Sequence, residues 1–258
     1  MERQPQYLAS LEAQPEVERQ RNLLGNWEAR ESTSTYFDRQ WIEEIDYINP
    51  EEIEATVRTY DFAGTLKSDS NPSPDYTATV RMHRLRDGTY VIDDVRRTRI
   101  RHGDWLDFVI MCNQDDPSGI VTYIPEDPNP AARRAAMMFI RDLANLGIYA
   151  KRMRATTRSK LDRFRPFSAM AQNGGVKVLR GCGIDYENNI HHENDFFYGE
   201  LERFTGERKR GELFHDDVVD GVADAFTALA SGAQYIGDIS GAVTGLSAAM
   251  SENMQFNF

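Results

Sequence analysis

Four aspartates lie close together near the C-terminal end of the chain, in the stretch HDDVVDGVADAF. They are Asp216, Asp217, Asp220 and Asp224, and the apolar residues between them have the spacing of an amphipathic helix. Like charges at this spacing repel each other and weaken a helix. The helix dipole would tolerate Asp216 and Asp217 at a helix start, but it does not explain Asp220, which shares a face with Asp217. The stretch is therefore either a solvated helix start or one side of a cation site.

Two further acids lie where strands would bring them near this helix. Asp61 is in the middle of the predicted strand VRTYDFAGT, where aspartate is disfavoured, and Glu126 ends the predicted strand in IVTYIPEDPNP. If these strands are neighbours, Asp61 and Glu126 approach each other, and a nearby helix that starts with Asp217 completes a group of three carboxylates. The alternatives are a strand-end position for Asp61 and an ordinary loop acid for Glu126.

Three carboxylates suit Mg²⁺ or Mn²⁺, which take oxygen ligands and keep several waters. Two such ions about 3.5–4 Å apart activate a water molecule and stabilise the leaving oxygen of a phosphodiester, so the protein supplies no nucleophile. The sequence contains no Ser-His-Asp order and no HExxH motif. The acids therefore predict a metal-dependent phosphodiesterase.

Other polar residues near these motifs are expected to have ordinary roles. His215 either assists the metal or leaving group or is simply an exposed or satisfied histidine, which we favour. Asp75 is expected in a turn or at a strand start, with a smaller chance of lying near the metal. Asp93 and Asp94 are expected on the solvent side of a strand.

The charge of the chain is unevenly distributed. The net charge of −11 argues against a general nucleic-acid binder, but residues 151–165 carry seven basic residues against one acid. We predict that this run contacts the phosphate backbone of DNA with little sequence specificity, because phosphate contacts carry no sequence code. The predicted DNA-binding residues are Lys151, Arg152, Arg154, Arg158, Lys160, Arg163 and Arg165. A solvated surface is the alternative.

Composition excludes several classes of protein. No apolar run approaches the about 20 residues that a membrane helix needs, and the charged N-terminus lacks a signal-peptide core. Cys112 and Cys182 are too few and too isolated for a disulfide scaffold or a cysteine zinc site. We therefore expect a cytoplasmic protein with no membrane partner.

The order of the predicted elements indicates an α/β fold. Three successive strands with short turns begin at residue 55, and helix, strand, helix, strand and further helices follow, including one at Pro166–Gln172. This is the order of the ribonuclease H-like fold, with a central mixed sheet of three antiparallel and then parallel strands flanked by helices. We expect an N-terminal helical arm at residues 1–54, the main domain at 55–231 and a flexible tail at 232–258.

Six motifs, taken in order and spacing, resemble the C-terminal nuclease domain of the large terminase subunit of tailed bacteriophages. They lie between about Arg58 and Leu229 and read YDFAGT, PDYTATVRM, VTYIPEDPNPAARRAAMMFIRDL, SKLDRFRPFSAMAQNGGVKVL, FFYGELERF and HDDVVDGVADAFTALA. The resemblance implies an endonuclease that uses two Mg²⁺ or Mn²⁺ ions to cut concatemeric phage DNA during packaging in the host cytoplasm. It also implies double-stranded DNA, a terminase ATPase portion, a small terminase subunit and a portal protein as partners.

The resemblance assigns roles to particular residues. By motif, the metal-binding and catalytic acids would be Asp61, Glu126 and Asp217, and Asp216 and Asp220 would be supporting or alternative ligands. The basic residues Lys160, Arg163 and Arg165 would face DNA.

The chain departs from the family pattern in two places. It contains no GxxxxGK[ST] phosphate loop, so we expect an isolated nuclease portion or one product of a split gene, although residues 1–54 resemble the end of the family's ATPase domain. Asn129 and Ala132 stand where relatives often have glycine, which leaves Glu126 or Asp127 as the ligand. We prefer Glu126 because it ends the strand directly. The alternative functions are another ribonuclease H-like nuclease, such as a resolvase or transposase relative, and a non-catalytic docking module of the packaging motor.

Overall fold

The computed structural model describes residues 36–126, 129–154, 156–206 and 215–231. Most of the predicted arm, the predicted tail and Asp127 lie outside the described residues. No helix in these ranges is long and apolar enough to cross a membrane.

The described residues form one mixed sheet with helices on both of its faces. The strands are β1 (Glu43–Ile45), β2 (Ile53–Asp61), β3 (Thr77–Leu85), β4 (Tyr90–Thr98), β5 (Val121–Pro125), β6 (Ala150–Met153), β7 (Val176–Leu179), β8 (Gly183–Asp185) and β9 (Ile190–His191). The helices are α1 (Trp105–Gln114), α2 (Pro130–Asn145), α3 (Lys160–Gln172), α4 (Asp195–Arg203) and α5 (residues 217–231). Single turns of 3₁₀ helix lie at Arg39–Trp41, Pro50–Glu52 and His102–Asp104.

The order of strands across the sheet is β1-β7-β4-β3-β2-β5-β6. Strands β2, β3 and β4 pair antiparallel in succession, whereas β5, β6, β7 and β1 join through parallel pairs. β8 continues beside β4 and pairs with β9. The predicted mixed sheet of three antiparallel and then parallel strands is therefore confirmed.

The turn between β3 and β4 shows how the sequence specifies the hairpin. Gly88 has a φ of +87°, a left-handed conformation that glycine adopts without strain. The backbone N–H and the hydroxyl of Thr89 both donate to the carboxylate of Asp87, at 2.9 and 2.7 Å. These local bonds fix the reversal that the RDG sequence predicted.

Alternation along β2 directs its side chains to two separate cores. Val57 packs in the cluster that contains α3, α4 and α5, whereas Tyr60 packs in the cluster that contains α1 and α2. Because successive side chains of a strand point to opposite faces, Asp61 shares the α5 face with Val57 and Thr59. The strand thereby delivers a carboxylate toward α5.

Helix α3 begins six residues before the predicted position, so the prediction of a helix at Pro166–Gln172 was wrong at its start. Ser159 caps the helix by accepting a hydrogen bond from the backbone N–H of Asp162 at 3.1 Å. Pro166 lies inside the helix, where it removes a single backbone donor. The cap and the buried phenylalanines Phe164 and Phe167 account for a helix that passes through a proline.

The sheet also includes residues that lie before the predicted domain start at residue 55. Strand β1 pairs in parallel with β7 at one edge of the sheet. Phe37 is 1% exposed and stacks with Phe167 and Tyr198 at centroid distances of 6.2 and 6.4 Å. A three-residue strand carries too short a hydrophobic pattern to be predicted, and only its pairing with β7 defines it.

Asp93 and Asp94 do not face solvent, so that prediction was also wrong. Asp94 is 6% exposed and pairs with Arg58 at 3.4 Å and with Arg96. Asp93 pairs with Arg81 at 2.8 Å. Acidic side chains are buried when arginines neutralise them, and these arginines come from neighbouring strands as well as from β4 itself.

Candidate metal centre

Strand β2 and helix α5 place Asp61 near Asp217 and Asp220, but the structure does not bring Glu126 into the same group. The hydroxyl of Thr59 donates to the carbonyl of Gly221 at 2.7 Å and fastens α5 to β2. Gly221 permits this close approach, because a Cβ there would lie 3.0 Å from a methyl group of Val80. The start of α5 is also held by Glu200, whose carboxylate accepts the backbone N–H of Val218 at 2.6 Å. Sequence analysis did not identify Glu200.

Asp217 is buried, and a backbone hydrogen bond holds its side chain. Its side chain is 7% exposed and accepts a hydrogen bond from the backbone N–H of Tyr76 at 2.9 Å. Burial raises the pKa of Asp217 to about 7, and the negative charges of Asp75 and Asp216 add to this effect. The molecule therefore holds this carboxylate where its ionisation is unfavourable without a nearby cation.

Asp75 and His215 join Asp217 at this point, although the sequence favoured ordinary roles for both. One ligand atom from each of the three residues lies within 4.8 Å of the others. The Nδ1 atom of His215 is 3.5 Å from Asp75 and 3.8 Å from Asp217. It is buried and forms no hydrogen bond within the described part of the chain. Burial, together with the positive charge of Arg99, lowers the pKa of His215, which favours the neutral imidazole that a metal requires.

Asp61, Asp216 and Asp220 form the other side of the acidic site. Burial raises the pKa of Asp61 well above its ordinary value, and the charges of Asp220 and Asp217 raise it further. The ammonium of Lys160 lies 2.7 Å from a carboxylate oxygen of Asp216 and 2.7 Å from one of Asp220. The acidic residues thus concentrate negative charge around the end of β2, and a lysine partly neutralises it.

Glu126 lies just beyond the end of β5, but its carboxylate points to two arginines. Strands β2 and β5 are adjacent and parallel, with Thr59 paired to Tyr123. Asp61 and Glu126 therefore lie at the C-terminal ends of neighbouring strands. The Glu126 carboxylate is 7% exposed and accepts bonds from Arg133 and Arg152, both at 2.9 Å. Within the described residues, it is not part of the group formed by Asp75, His215 and Asp217.

The predicted DNA-binding residues divide into paired and exposed groups. Lys160 and Arg163 bind aspartates of α5, with Arg163 bridging Asp220 and Asp224. Arg152 binds Glu126, and Arg165 lies 3.2 Å from Asp162. Three further members of the run, Lys151, Arg154 and Arg158, are exposed. Sequence analysis identified the basic run but did not predict that part of it neutralises the acidic site.

The donor set fits a hard divalent cation. The carboxylate oxygens suit Mg²⁺ and Mn²⁺, whereas the imidazole nitrogen suits a transition-metal ion better than Mg²⁺ and therefore favours Mn²⁺ of the two. The buried Nδ1 atom of His215 has no hydrogen-bond partner within the described residues, and a cation could bind it. A cation would also favour the ionised form of Asp61 and Asp217, whose pKa values are raised.

A family model described as "Terminase RNaseH-like domain" matches residues 58–229. The chain belongs to this family. The predicted resemblance to the terminase large-subunit nuclease domain, and with it the ribonuclease H-like fold, is confirmed. The family supports a nuclease of the packaging terminase.

Solved structures of terminase nuclease domains are similar to this chain at low sequence identity. The human cytomegalovirus terminase nuclease domain, Mn soaked and inhibitor bound, is 13% identical with a TM-score of 0.52, and the match covers 75% of this chain and 94% of that one. The Thermus phage P74-26 large terminase nuclease domain is 14% identical with a TM-score of 0.46, over 75% and 94% of the respective chains. None of the curated protein sequences matches this chain.

Proposed function

We propose that this terminase nuclease domain is an endodeoxyribonuclease that cuts concatemeric double-stranded phage DNA with two Mg²⁺ or Mn²⁺ ions. The observation that carries the proposal is the group of Asp75, His215 and Asp217, whose ligand atoms lie within 4.8 Å of one another, while the negative charge of Asp217 also acts on Asp61. The Mn-soaked cytomegalovirus nuclease domain, which has the same fold, supports the choice of a divalent cation.

Asp217 would be the ligand shared by the two halves of the site. On one side it lies beside Asp75 and His215, and on the other its negative charge raises the pKa of Asp61. Two bound ions would supply the activated water and the neutralisation of the leaving oxygen. The protein residues hold their oxygen atoms in a buried position, where electrostatic interactions are stronger than in water.

Glu126 would become a metal ligand only after its carboxylate separates from the arginines that now bind it. Its carboxylate is held by Arg133 and Arg152, and Arg133 is 55% exposed. DNA phosphate would compete for these guanidinium groups, because arginine binds phosphate and carboxylate through the same donors. Release of Glu126 toward Asp61 would then accompany DNA binding. Asp127 stays the alternative ligand and lies outside the described residues.

The DNA surface would follow the exposed basic residues along and after β6. Lys151, Arg154 and Arg158 are exposed, and β6 is the edge strand next to β5, which ends at Glu126. We expect these residues to contact phosphates and to confer little sequence specificity. A terminase ATPase portion, a small terminase subunit and a portal protein would deliver DNA to this surface in the host cytoplasm.

Cleavage of supercoiled plasmid DNA tests the proposal. We expect nicking and linearisation with Mg²⁺ or Mn²⁺, and a loss of at least about 100-fold in Asp61→Asn and in Asp217→Asn, because each removes a charged ligand. Asp224→Asn is the matched control, since Asp224 lies on the same helix but binds Arg163. Unchanged cleavage in both site variants would refute the assignment. Preference for branched over linear duplex would indicate a resolvase-like enzyme, and no metal-dependent cleavage would indicate a docking module.

A further inference from the structure

Lys160 occupies a defined position inside the acidic site. It is the first residue of α3, and the Ser159 cap fixes where that helix begins. Its ammonium lies 2.7 Å from an oxygen of Asp216, which directly precedes α5, and 2.7 Å from an oxygen of Asp220 in the first turn of that helix. The two carboxylates are 13% and 12% exposed, whereas the lysine side chain is 44% exposed. The lysine therefore reaches inward from solvent and ends between two largely buried acids.

The contacts of Lys160 match those of a cation ligand set. Burial by itself would lower the pKa of Lys160, but Asp220 and Asp216 raise it above its ordinary value, so the side chain stays charged. Its positive charge also opposes the rise in the pKa of Asp61. One ammonium thus interacts with three acids of the site, and it uses the oxygen atoms that a metal ion would need.

We propose that Lys160 is an internal cation that competes with a divalent metal ion for Asp216 and Asp220. This inference rests on the proposed metal-dependent function. A Mg²⁺ ion lies about 2.0–2.1 Å from its oxygen ligands, so an ion that bridges these two oxygens would take the position of the ammonium, which lies 2.7 Å from each. The side of the site formed by Asp75, His215 and Asp217 therefore fills first. The bridging position between Asp216 and Asp220 fills only when Lys160 leaves, while Arg163 stays on the other oxygen of Asp220.

The structure also indicates where Lys160 goes when it leaves. Its stem is long and flexible and its side chain is partly exposed, so it swings outward without moving α3. An ammonium has three donors and binds phosphate as a point charge. A DNA phosphate at the mouth of the site would accept those donors, and the vacated carboxylates would then bind the second ion. Lys160 is thus a positioning residue that couples completion of the metal site to the presence of DNA.

Manganese binding to the metal-stripped protein tests this proposal without relying on cleavage. Free Mn²⁺ is measured by electron paramagnetic resonance during titration of the wild type, Lys160→Met, Lys160→Gln and Lys160→Arg. We expect the weaker class of sites to bind about 5- to 10-fold more tightly in the Met and Gln variants, because a competing, partly exposed cation has been removed. The tighter class should change little, and Lys160→Arg should resemble the wild type because it restores the charge.

Arg165→Met is the matched control, because Arg165 lies on the same helix and pairs with Asp162 rather than with the site acids. Equal Mn²⁺ affinities in the wild type and both neutral variants would overturn the proposed competition. Metal-dependent plasmid cleavage by the wild type would in that case still support the proposed nuclease function. Binding in the neutral variants but not in the wild type would support the competition. Binding in none of the proteins would overturn both proposals. Far-UV circular dichroism confirms that each variant is folded.

Discussion

Replacement of Asp217 by asparagine should stabilise the metal-free protein at alkaline pH while it disables the metal site. The carboxylate of Asp217 is 7% exposed, and its pKa is raised from 3.8 to about 7, chiefly by burial. Asparagine keeps a side-chain oxygen that accepts the hydrogen bond from the backbone N–H of Tyr76, which is 2.9 Å long in the wild type. It removes only the charge, which is the unfavourable component in the absence of a cation.

The sign and size of the effect follow from linkage between protonation and folding. Because the pKa of Asp217 is higher in the folded chain than in the unfolded chain, the folded chain binds more protons between about pH 4 and pH 7, and stability falls as pH rises through this window. The full cost of ionisation is at most about 4 kcal/mol, at about 1.36 kcal/mol per pKa unit. Part of this cost is already present at pH 5. The difference in free energy of unfolding between Asp217→Asn and the wild type should therefore be about 1–3 kcal/mol more in favour of the variant at pH 8 than at pH 5.

Urea denaturation of chelator-treated protein at pH 5 and pH 8 measures this difference. The control is Asp142→Asn, because Asp142 is an exposed residue of α2 and its replacement should have the same small effect at both values. Millimolar Mn²⁺ at pH 8 should then stabilise the wild type and not Asp217→Asn, because a ligand stabilises only the fold that binds it. A variant whose advantage is no larger at pH 8 than at pH 5 would refute the reasoning.

Two further predictions concern the scaffold that positions the site. Gly221→Ala should lower the free energy of unfolding by about 1–2 kcal/mol and slow plasmid cleavage, because the new methyl group meets Val80 at 3.0 Å and displaces α5. The control is Gly199→Ala, whose new methyl group meets no atom within 4 Å. Arg58→Met should cost about 3 kcal/mol in urea denaturation, because Arg58 is 0% exposed and its loss removes the 2.6 Å ion pair with Asp116, which then keeps only Arg81 at 3.0 Å. A loss below about 1 kcal/mol would show that the buried charges have other compensation.

Local sequence pattern was sufficient for the strands from β2 to β7 and for helices α1, α2, α4 and α5. The alternation around Asp61 and the apolar spacing after Asp217 each depend on neighbours in the chain, and those neighbours are visible in the sequence. The adjacency of β2 and β5, assumed when Asp61 and Glu126 were paired, is confirmed by the register of the two strands. The roles of the individual ligands stay predictions.

The parts that sequence analysis missed depend on contacts between distant segments. Asp75 and His215 stand 140 positions apart and meet only because β3 begins next to α5. Lys160 was predicted to face DNA because it belongs to the basic run and matches the family's basic stretch. The Ser159 cap places the first turn of α3 against the start of α5, where the lysine binds Asp216. This contact joins segments 56 positions apart and has no signal in the local sequence.

Basic residues of the chain itself neutralise the acidic site. Lys160 holds Asp216 and Asp220, and Arg133 and Arg152 hold Glu126. Each of these cations is also a donor that DNA phosphate attracts. DNA binding and metal binding would therefore favour each other: phosphate removes the internal cations, and the freed carboxylates bind metal ions. By reciprocity of binding free energies, Mn²⁺ should tighten DNA binding by the same factor by which DNA tightens Mn²⁺ binding.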